Sequence, residues 1–236
     1  MVALRAPPFA REGPPLLSAA AKARSRRARG AQYLVHVEVR ELRSGLWRWT
    51  AAHPEWEAGL HWPQHVGSVY AELPDAVVLI DPIVPAEEPD RLWEALDRDV
   101  ERIGRPVHVL LTVHWHERSA EEVLDRYGAT LWRPEQPGGL PPSAQAEIVQ
   151  GADWAEAVFY LEPWRALVVG DLLIGDGEGG LRVPVSWFPR EEQDWVRRGL
   201  KEQLRRLLDL DLDLVLVSHG DPVLEGGHAA LARALS

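Results

Sequence analysis

The chain has 236 residues, of which 46% are apolar and 26% charged, and its formal net charge is −10. This length suits a single α/β domain, and no apolar run approaches the roughly 18 residues of a membrane helix, so we expect no membrane partner. The absence of cysteine excludes disulfides, thiolate metal ligands and cysteine nucleophiles, which leaves His, Asp and Glu to hold any metal.

The N-terminal segment differs in charge from the rest of the chain. Residues 1–30 contain seven basic residues against one acid, Glu12, and show no periodic apolar positions. They lack the apolar stretch of a secretory signal, so a cytoplasmic location is the default expectation. A basic arm for nucleic acid is one interpretation; the one we adopt is a disordered tail, residues 1–30, ahead of a domain over residues 31–236. The acidic domain repels nucleic acid, which we therefore do not expect as a partner.

Short apolar or alternating runs predict strands throughout the domain. The first is predicted over 32–40, where alternate residues from Tyr33 to Val39 share one apolar face. The others are predicted, in chain order, over 45–50, 66–72, 76–80, 107–113, 129–132, 157–161, 166–169 and 214–217.

Two helices have recognisable starts. Asp90 is a suitable N-cap for a helix whose apolar residues recur at helical spacing until Gly104 ends it. Ser119, followed three residues later by Glu122, has the pattern of a capping box at the start of a second helix. A longer helix is predicted over 191–208 and a short one at the C-terminus. Strands followed by strand–helix alternation favour an α/β fold with either one mixed sheet or two sheets flanked by helices.

Acidic residues and histidines follow four of the predicted buried strands. Asp81 follows one strand, His114 and His116 follow the next, and Asp171 and His219 follow the last two. Because sites in open α/β sheets lie at the carboxyl ends of strands, we expect these side chains to converge. Two histidines two positions apart in extended chain point to the same side, where both imidazoles can reach one metal.

The sequence around these residues resembles the metallo-β-lactamase superfamily over residues 31–225. Four segments carry the resemblance, namely V-V-L-I-D-P (77–82), H-W-H-E-R-S (114–119), A-L-V-V-G-D-L-L-I-G (166–175) and V-S-H-G (217–220). The resemblance implies an αββα sandwich, in which two mixed β-sheets lie face to face with helices outside. In that family the two histidines of an H-x-H motif serve a first metal, an aspartate bridges two metals and a final histidine serves the second.

Three ligands that the family uses are absent from the corresponding positions. Arg118 stands where the resemblance places the second metal's aspartate, Ser119 replaces the next histidine, and Ala152 replaces the histidine of a Gly-His pair. A guanidinium stays protonated and repels a dication, and only Asp171 and His219 would remain for a second metal. We therefore expect at most one metal.

The remaining residues predict a degenerate metal site. The candidate ligands are His114, His116, Asp171 and His219, and in the first of two interpretations one zinc or iron ion lies on the first three of them. Asp171 and Arg118 are the candidate catalytic residues. Such an ion polarises a carbonyl and acidifies bound water, so this interpretation predicts a metal-dependent hydrolase that acts on a small molecule.

A metal-free protein is the alternative interpretation. In it Arg118 pairs with Asp171, its charge lies where a second metal would be, and the pocket binds a small ligand without catalysis or is a structural remnant. The fold by itself does not choose between these two functions. The sequence names no substrate and no oligomeric state. Several of its eleven tryptophans, among them Trp62 and Trp115, lie near the proposed site and suit an apolar substrate wall.

The first prediction concerns the basic tail. Removing residues 1–30 should leave the melting temperature of the protein essentially unchanged, because the segment has no apolar face to contribute to a core. Thermal denaturation of the full and shortened chains checks this, and a large loss of stability in the shortened chain would contradict it.

Overall fold

The structure, a computed structural model, describes residues 39–236, which lie within one compact unit, Val37–Ser236. The predictions for the tail, residues 1–30, and for most of the first strand fall outside the described residues. Among the residues that are described, no helix is long and apolar enough to cross a membrane.

Strands dominate the described chain, and most of them lie where the sequence predicts them. In chain order they are β1 Val39–Arg43, β2 Leu46–Ala52, β3 His65–Glu72, β4 Val77–Ile80, β5 Val107–Leu110, β6 Thr130–Trp132, β7 Ala144–Gln150, β8 Ala155–Leu161, β9 Ala166–Val169, β10 Ile174–Gly175, β11 Leu181–Arg182 and β12 Leu214–Val217. The α-helices are α1 Pro89–Ile103, α2 Ala120–Tyr127, α3 Gln193–Trp195, α4 Lys201–Leu204 and α5 Gly227–Ala234.

The strands form two mixed sheets, as the resemblance implies. The first has the order β1-β2-β3-β4-β5-β6, with antiparallel pairs from β1 to β4 and parallel pairs from β4 to β6. The second has the order β12-β9-β8-β7, with one parallel pair, β12 and β9, and antiparallel pairs beyond it. Strands β10 and β11 form a small separate ribbon.

Alternate side chains of the central strands enter two different cores. In β4, Val78 and Ile80 pack with Phe159 of β8 in the core between the two sheets. Val77 and Leu79 face the other way, into a core that α1 and α2 cover. On the second sheet the outward-facing residues pack beneath the helices near the C-terminus. This arrangement gives four layers, helix, sheet, sheet and helix, and it explains why β4, β9 and β12, which are buried on both faces, are apolar at every position.

Both predicted helix starts need correction. Helix α1 begins at Pro89 rather than after an Asp90 cap, and proline is well suited there because the first helical N–H has no intrahelical partner. Ser119 does precede α2, but its hydroxyl makes no cap: it accepts a hydrogen bond from the N–H of Val84 at 3.0 Å. The predicted capping box with Glu122 is therefore wrong, because a tertiary contact takes the hydroxyl.

Two further features were not apparent from the sequence. Strand β7 was missed, because only the first and sixth of its residues are fully buried and its apolar pattern is weak. The long helix predicted over 191–208 is a continuous helical stretch of changing geometry: α3, a π-helical segment Val196–Leu200, α4 and a 3₁₀ segment Arg205–Asp209 follow one another directly.

The two sheets contact each other through backbone at Gly67 of β3. Its N–H donates to the carbonyl of Ser218, directly after β12, at 2.7 Å. Arg48 of β2 donates to the carbonyls of Val217 and Gly220, each at 3.1 Å. A Cβ atom on Gly67 would lie 2.9 Å from the Val217 carbonyl oxygen and 2.6 Å from Arg48 Nη2, so only glycine allows this approach.

Gly67→Ala should destabilise the protein by about 1–3 kcal/mol, because the added methyl group forces the two sheets apart where they carry the candidate site. Urea denaturation measures the change. Gly138→Ala is the matched control, since a Cβ atom there meets nothing within 4 Å. Equal stability of the two variants would contradict the close approach at Gly67.

Candidate metal centre

Three of the four predicted ligands meet where strands from the two sheets end. His116 lies in a short 3₁₀ turn, His114–His116, after β5, while Asp171 and His219 each follow a strand of the second sheet by two residues. Asp171 Oδ1 is 3.1 Å from His219 Nε2 and 3.4 Å from His116 Nε2. The three side chains can each offer one ligand atom, and these atoms all lie within 4.8 Å of one another.

The spacing and burial of this group suit a metal ion. Nitrogen and oxygen ligands about 2.0–2.1 Å from a tetrahedral zinc ion stand about 3.4 Å from each other. The two measured separations from Asp171 Oδ1 are close to this value. That oxygen is also buried and has no hydrogen-bond partner among the described residues. Buried polar atoms are rarely left without a partner, and either an ion among these three side chains or a proton on His116 would supply one for this oxygen.

Asp81 fixes the orientation of His116. Its backbone is left-handed, with φ of 47°, and its side chain is buried beneath the end of β4. One carboxylate oxygen accepts from the Thr112 N–H at 2.8 Å; the other accepts from the Thr112 hydroxyl at 2.6 Å and lies 2.9 Å from His116 Nδ1. A proton held on Nδ1 by this carboxylate leaves the Nε2 lone pair free for a metal, which is a common arrangement behind metal-binding histidines.

Asp171 is fixed at both its backbone and its side chain. Glu156 Oε1 accepts hydrogen bonds from the N–H groups of Asp171 and Leu172, at 2.8 and 3.1 Å. The indole Nε1–H of Trp115 donates to Asp171 Oδ2 at 2.9 Å. The sequence offered one signal for Glu156, a charged residue inside the apolar strand β8; nothing local indicated the contact of Trp115.

Arg118 does not contact Asp171, the partner considered for it from the sequence, but contacts other groups in the described chain. Its Nη1 donates to the carbonyls of Gly67 and Asp81, at 2.9 and 3.0 Å, and its Nη2 donates to the Ser218 hydroxyl at 2.7 Å. Asp171 is not among its hydrogen-bond or ion-pair partners in the described chain, so the direct pairing with Asp171 is wrong. Arg118 instead joins the two sheets from a strained left-handed backbone, with φ of 40°.

His114 lies apart from the three grouped ligands. Its Nδ1 is 3.3 Å from Glu135 Oε1, and its ring packs edge-on against Trp115, with centroids 4.7 Å apart. The expectation of extended chain at this motif is wrong, because residues His114–His116 form a 3₁₀ turn in which alternate side chains no longer point to the same side. The structure therefore groups His116 with Asp171 and His219, and not with His114.

An aromatic packing contact shapes the turn in which the resemblance places a third imidazole. Ala152 is exposed, and the adjacent Gly151 lies under the ring of Trp154, where a Cβ atom would come within 2.1 Å of the indole. Trp154 in turn packs against Phe188 and Trp195. This turn is therefore shaped by packing and offers no ligand to the group.

Aromatic rings surround His219. Trp187 and Trp62 pack edge-on against its imidazole, with centroids 5.0 and 5.8 Å away. His61 packs against Trp187, and His53 against Trp62. His53, which no sequence pattern placed near the site, is therefore part of its surroundings, and this side of His219 is lined by aromatic rings and imidazoles.

The charges in the group influence one another strongly. Burial and Arg118 act to lower the pKa of His116, but Asp171 and Asp81 outweigh them and raise it to about 9. Burial would raise the pKa of Asp171, but His116 and His219 hold it well below its ordinary value. Burial lowers the pKa of His219, which Asp171 only partly offsets. Without a metal, the group therefore consists at neutral pH of an imidazolium, a carboxylate and a neutral imidazole.

Comparison with solved structures identifies similar folds. No family model matches this sequence, and no curated protein matches it significantly. DIM-1 metallo-β-lactamase is 13% identical with a TM-score of 0.53, over 84% of this chain and 97% of that one. A metallo-β-lactamase from Pontibacter korlensis is 17% identical with a TM-score of 0.53, over 85% and 97%. FIM-1 from Pseudomonas aeruginosa, in its mono-zinc form, is 13% identical with a TM-score of 0.52, over 85% and 97%.

The surroundings of His53 predict a dependence of stability on pH. Burial first, and then the charges of Arg118, His116 and His219, lower its pKa from 6.5 to about 4. Between these values the unfolded chain binds more protons at this site than the folded protein does. The stability that depends on neutral His53 is therefore fully present above pH 6.5 and is lost as the pH falls towards 4.

Urea denaturation of the metal-free protein between pH 7 and pH 5 measures this effect. As the pH is lowered from 7 to 5, the free energy of unfolding should decrease less steeply in His53→Gln than in the wild type. His65→Gln, at an exposed histidine, is the control and should follow the wild type. A His53→Gln profile with the wild-type slope would show that His53 is not in this environment.

Proposed function

We propose that this chain, which has the metallo-β-lactamase fold, is a metal-dependent hydrolase that holds a single zinc-like ion on His116, Asp171 and His219. The observation that carries the proposal is the state of Asp171 Oδ1, which is buried, lacks a hydrogen bond among the described residues and has two imidazole Nε2 atoms at tetrahedral ligand spacing. Three protein ligands with a position left open are typical of catalytic zinc, whereas structural zinc has four.

The protein side of the chemistry follows from the same contacts. An ion in this position supplies a Lewis acid that acidifies water and polarises a carbonyl or phosphoryl oxygen. The Asp81 carboxylate keeps the Nδ1 proton on His116, so Nε2 stays available as a ligand. Trp62 and Trp187 exclude water from one side of His219 and favour substrates with an apolar group beside the scissile bond.

Arg118 supports one ion rather than two. Its guanidinium is close enough to lower the pKa of both His116 and His219, and its hydrogen bonds hold it in place between the sheets. A fixed positive charge repels a second dication, and all three grouped ligands are already used by the first. Arg118 then acts by positioning the loop and setting the charge of the site, and not by forming an ion pair with Asp171.

A metal-free, non-catalytic ligand-binding protein is the second candidate, and one observation favours it. The raised pKa of His116, about 9, places an imidazolium between the carboxylates of Asp81 and Asp171. This proton can supply the positive charge that an ion would otherwise bring to the group. The same pocket would then bind a small ligand without hydrolysing it.

Metal analysis separates the two candidates. Protein dialysed against excess zinc and then against buffer should retain about one zinc per chain. His116→Ala and His219→Ala should each weaken zinc binding at least a hundredfold, because each removes one of three ligands. His114→Ala is the matched control and should bind zinc as the wild type does, since its ring contacts Glu135 and Trp115 instead.

The outcomes have distinct meanings. Two zinc ions retained per wild-type chain would contradict the mononuclear site, and none would favour the metal-free candidate. A loss of binding in His114→Ala equal to that in His116→Ala would mean that His114 is a ligand, as the sequence first suggested. Hydrolysis of a chromogenic aryl ester by the zinc-loaded protein, absent in His219→Ala, would establish the catalytic role.

A further inference from the structure

The two oxygens of the Asp171 carboxylate have different partners. Oδ1 faces His219 Nε2 and His116 Nε2, at 3.1 and 3.4 Å, and has no hydrogen bond of its own in the described chain. Oδ2 accepts a hydrogen bond from the indole Nε1–H of Trp115 at 2.9 Å. One oxygen is thus directed at the proposed ion, while the other is held by a neutral donor.

We propose that Trp115 is a positioning residue that makes Asp171 a terminal ligand with one coordinating oxygen. The proposal rests on the proposed function, since it concerns how the single ion is coordinated. An indole nitrogen donates and cannot accept, so an ion and the Trp115 N–H cannot occupy the same side of Oδ2. While the indole is in place, it uses one of the two lone pairs of Oδ2, so chelation through both oxygens and coordination of a second ion by Oδ2 must each compete with the Trp115 hydrogen bond.

The turn that carries Trp115 explains how the indole reaches this position. In the 3₁₀ turn His114–His116, three consecutive side chains go to three places: His114 to Glu135, Trp115 to Asp171 and His116 to Asp81. The His116 N–H closes the turn by donating to the Val113 carbonyl at 3.0 Å.

Packing holds the indole ring in this orientation. Trp115 packs against the apolar core under the second sheet, and its ring also meets the His114 ring edge to face, with centroids 4.7 Å apart. A ring restrained by these two contacts loses little further freedom when it forms the hydrogen bond, which makes the contact with Oδ2 persistent. The residue between the two histidines therefore has a specific role at the site, and His114 supports it.

Cobalt(II), which replaces zinc and reports its coordination number by visible absorption, tests the role of Trp115. The metal-depleted full chain is titrated with cobalt. The wild type should bind one equivalent with the intense spectrum of a four-coordinate ion. Trp115→Phe keeps an aromatic ring and loses the N–H, so Asp171 becomes free to chelate, and the absorption should fall severalfold as the coordination number rises. Trp164→Phe, which removes an indole N–H that donates to the Ser44 carbonyl rather than to Asp171, should keep the wild-type spectrum.

A second measurement uses the wild-type protein and follows the indole N–H signal of Trp115 once that signal has been assigned. In ¹H–¹⁵N spectra, the indole N–H of Trp115 should exchange slowly with solvent, both without metal and with one equivalent of zinc. Rapid exchange of this proton on zinc binding would mean that the ion displaces the indole, which overturns the proposal even if Trp115→Phe does not fold.

Failure of this inference is distinguishable from failure of the proposed function. One bound cobalt with the same spectrum in the wild type and in Trp115→Phe refutes the role of Trp115 and leaves the metal site intact. A wild-type protein that binds no cobalt refutes the metal site itself, and the role of Trp115 with it.

Discussion

The carboxylate of Asp81 is the group on which the rest of the candidate site depends. Asp81 directly follows β4, and its carboxylate is buried. The carboxylate has three partners from two residues, namely the N–H and hydroxyl of Thr112 and the imidazole of His116. A buried carboxylate is costly unless it is paired and hydrogen-bonded, so these contacts must form together with the fold. They connect the ends of β4 and β5 and set the direction in which His116 points. The left-handed backbone of Asp81 is a strained conformation, and such conformations cluster at functional sites.

Burying several charges in one region requires that they compensate one another. Asp81, Asp171 and Glu156 bring acidic groups into a mostly apolar interior, while Arg118 and a protonated His116 bring the opposite charge. Glu156 does not need to be ionised: burial, and then the charge of Asp171, raise its pKa well above the ordinary value. A metal bound to Asp171 would displace the proton of His116, so metal and proton compete for the same compensating role. This competition links the two candidate functions, because each supplies the positive charge that the carboxylates require.

One turn contributes much of the difference between this candidate site and the two-metal site that the resemblance implies, beside the replacement at Ala152. An extended H-x-H segment would direct both imidazoles to one ion. The 3₁₀ turn instead sends His114 outward, brings Trp115 onto Asp171 and keeps only His116 at the centre. Arg118, two residues after His116, adds a fixed positive charge and donates hydrogen bonds to the carbonyls of Gly67 in β3 and of Asp81 after β4. The same short segment thus removes one ligand, restrains another and repels a second ion.

The sequence by itself determined the layered fold and the approximate place of the site. Continuous apolar runs such as β9 and β12 are predictable because strands buried on both faces are mostly apolar, and the residues that follow them must lie near one another at the carboxyl ends of neighbouring strands. Only the tertiary structure decided which side chains face the centre. The contact of Trp115 with Asp171 spans 56 positions, and that of Arg118 with Ser218 spans 100. Such contacts depend on how the two sheets pack, whereas the spacing of residues along the chain reports only the local periodicity of the backbone.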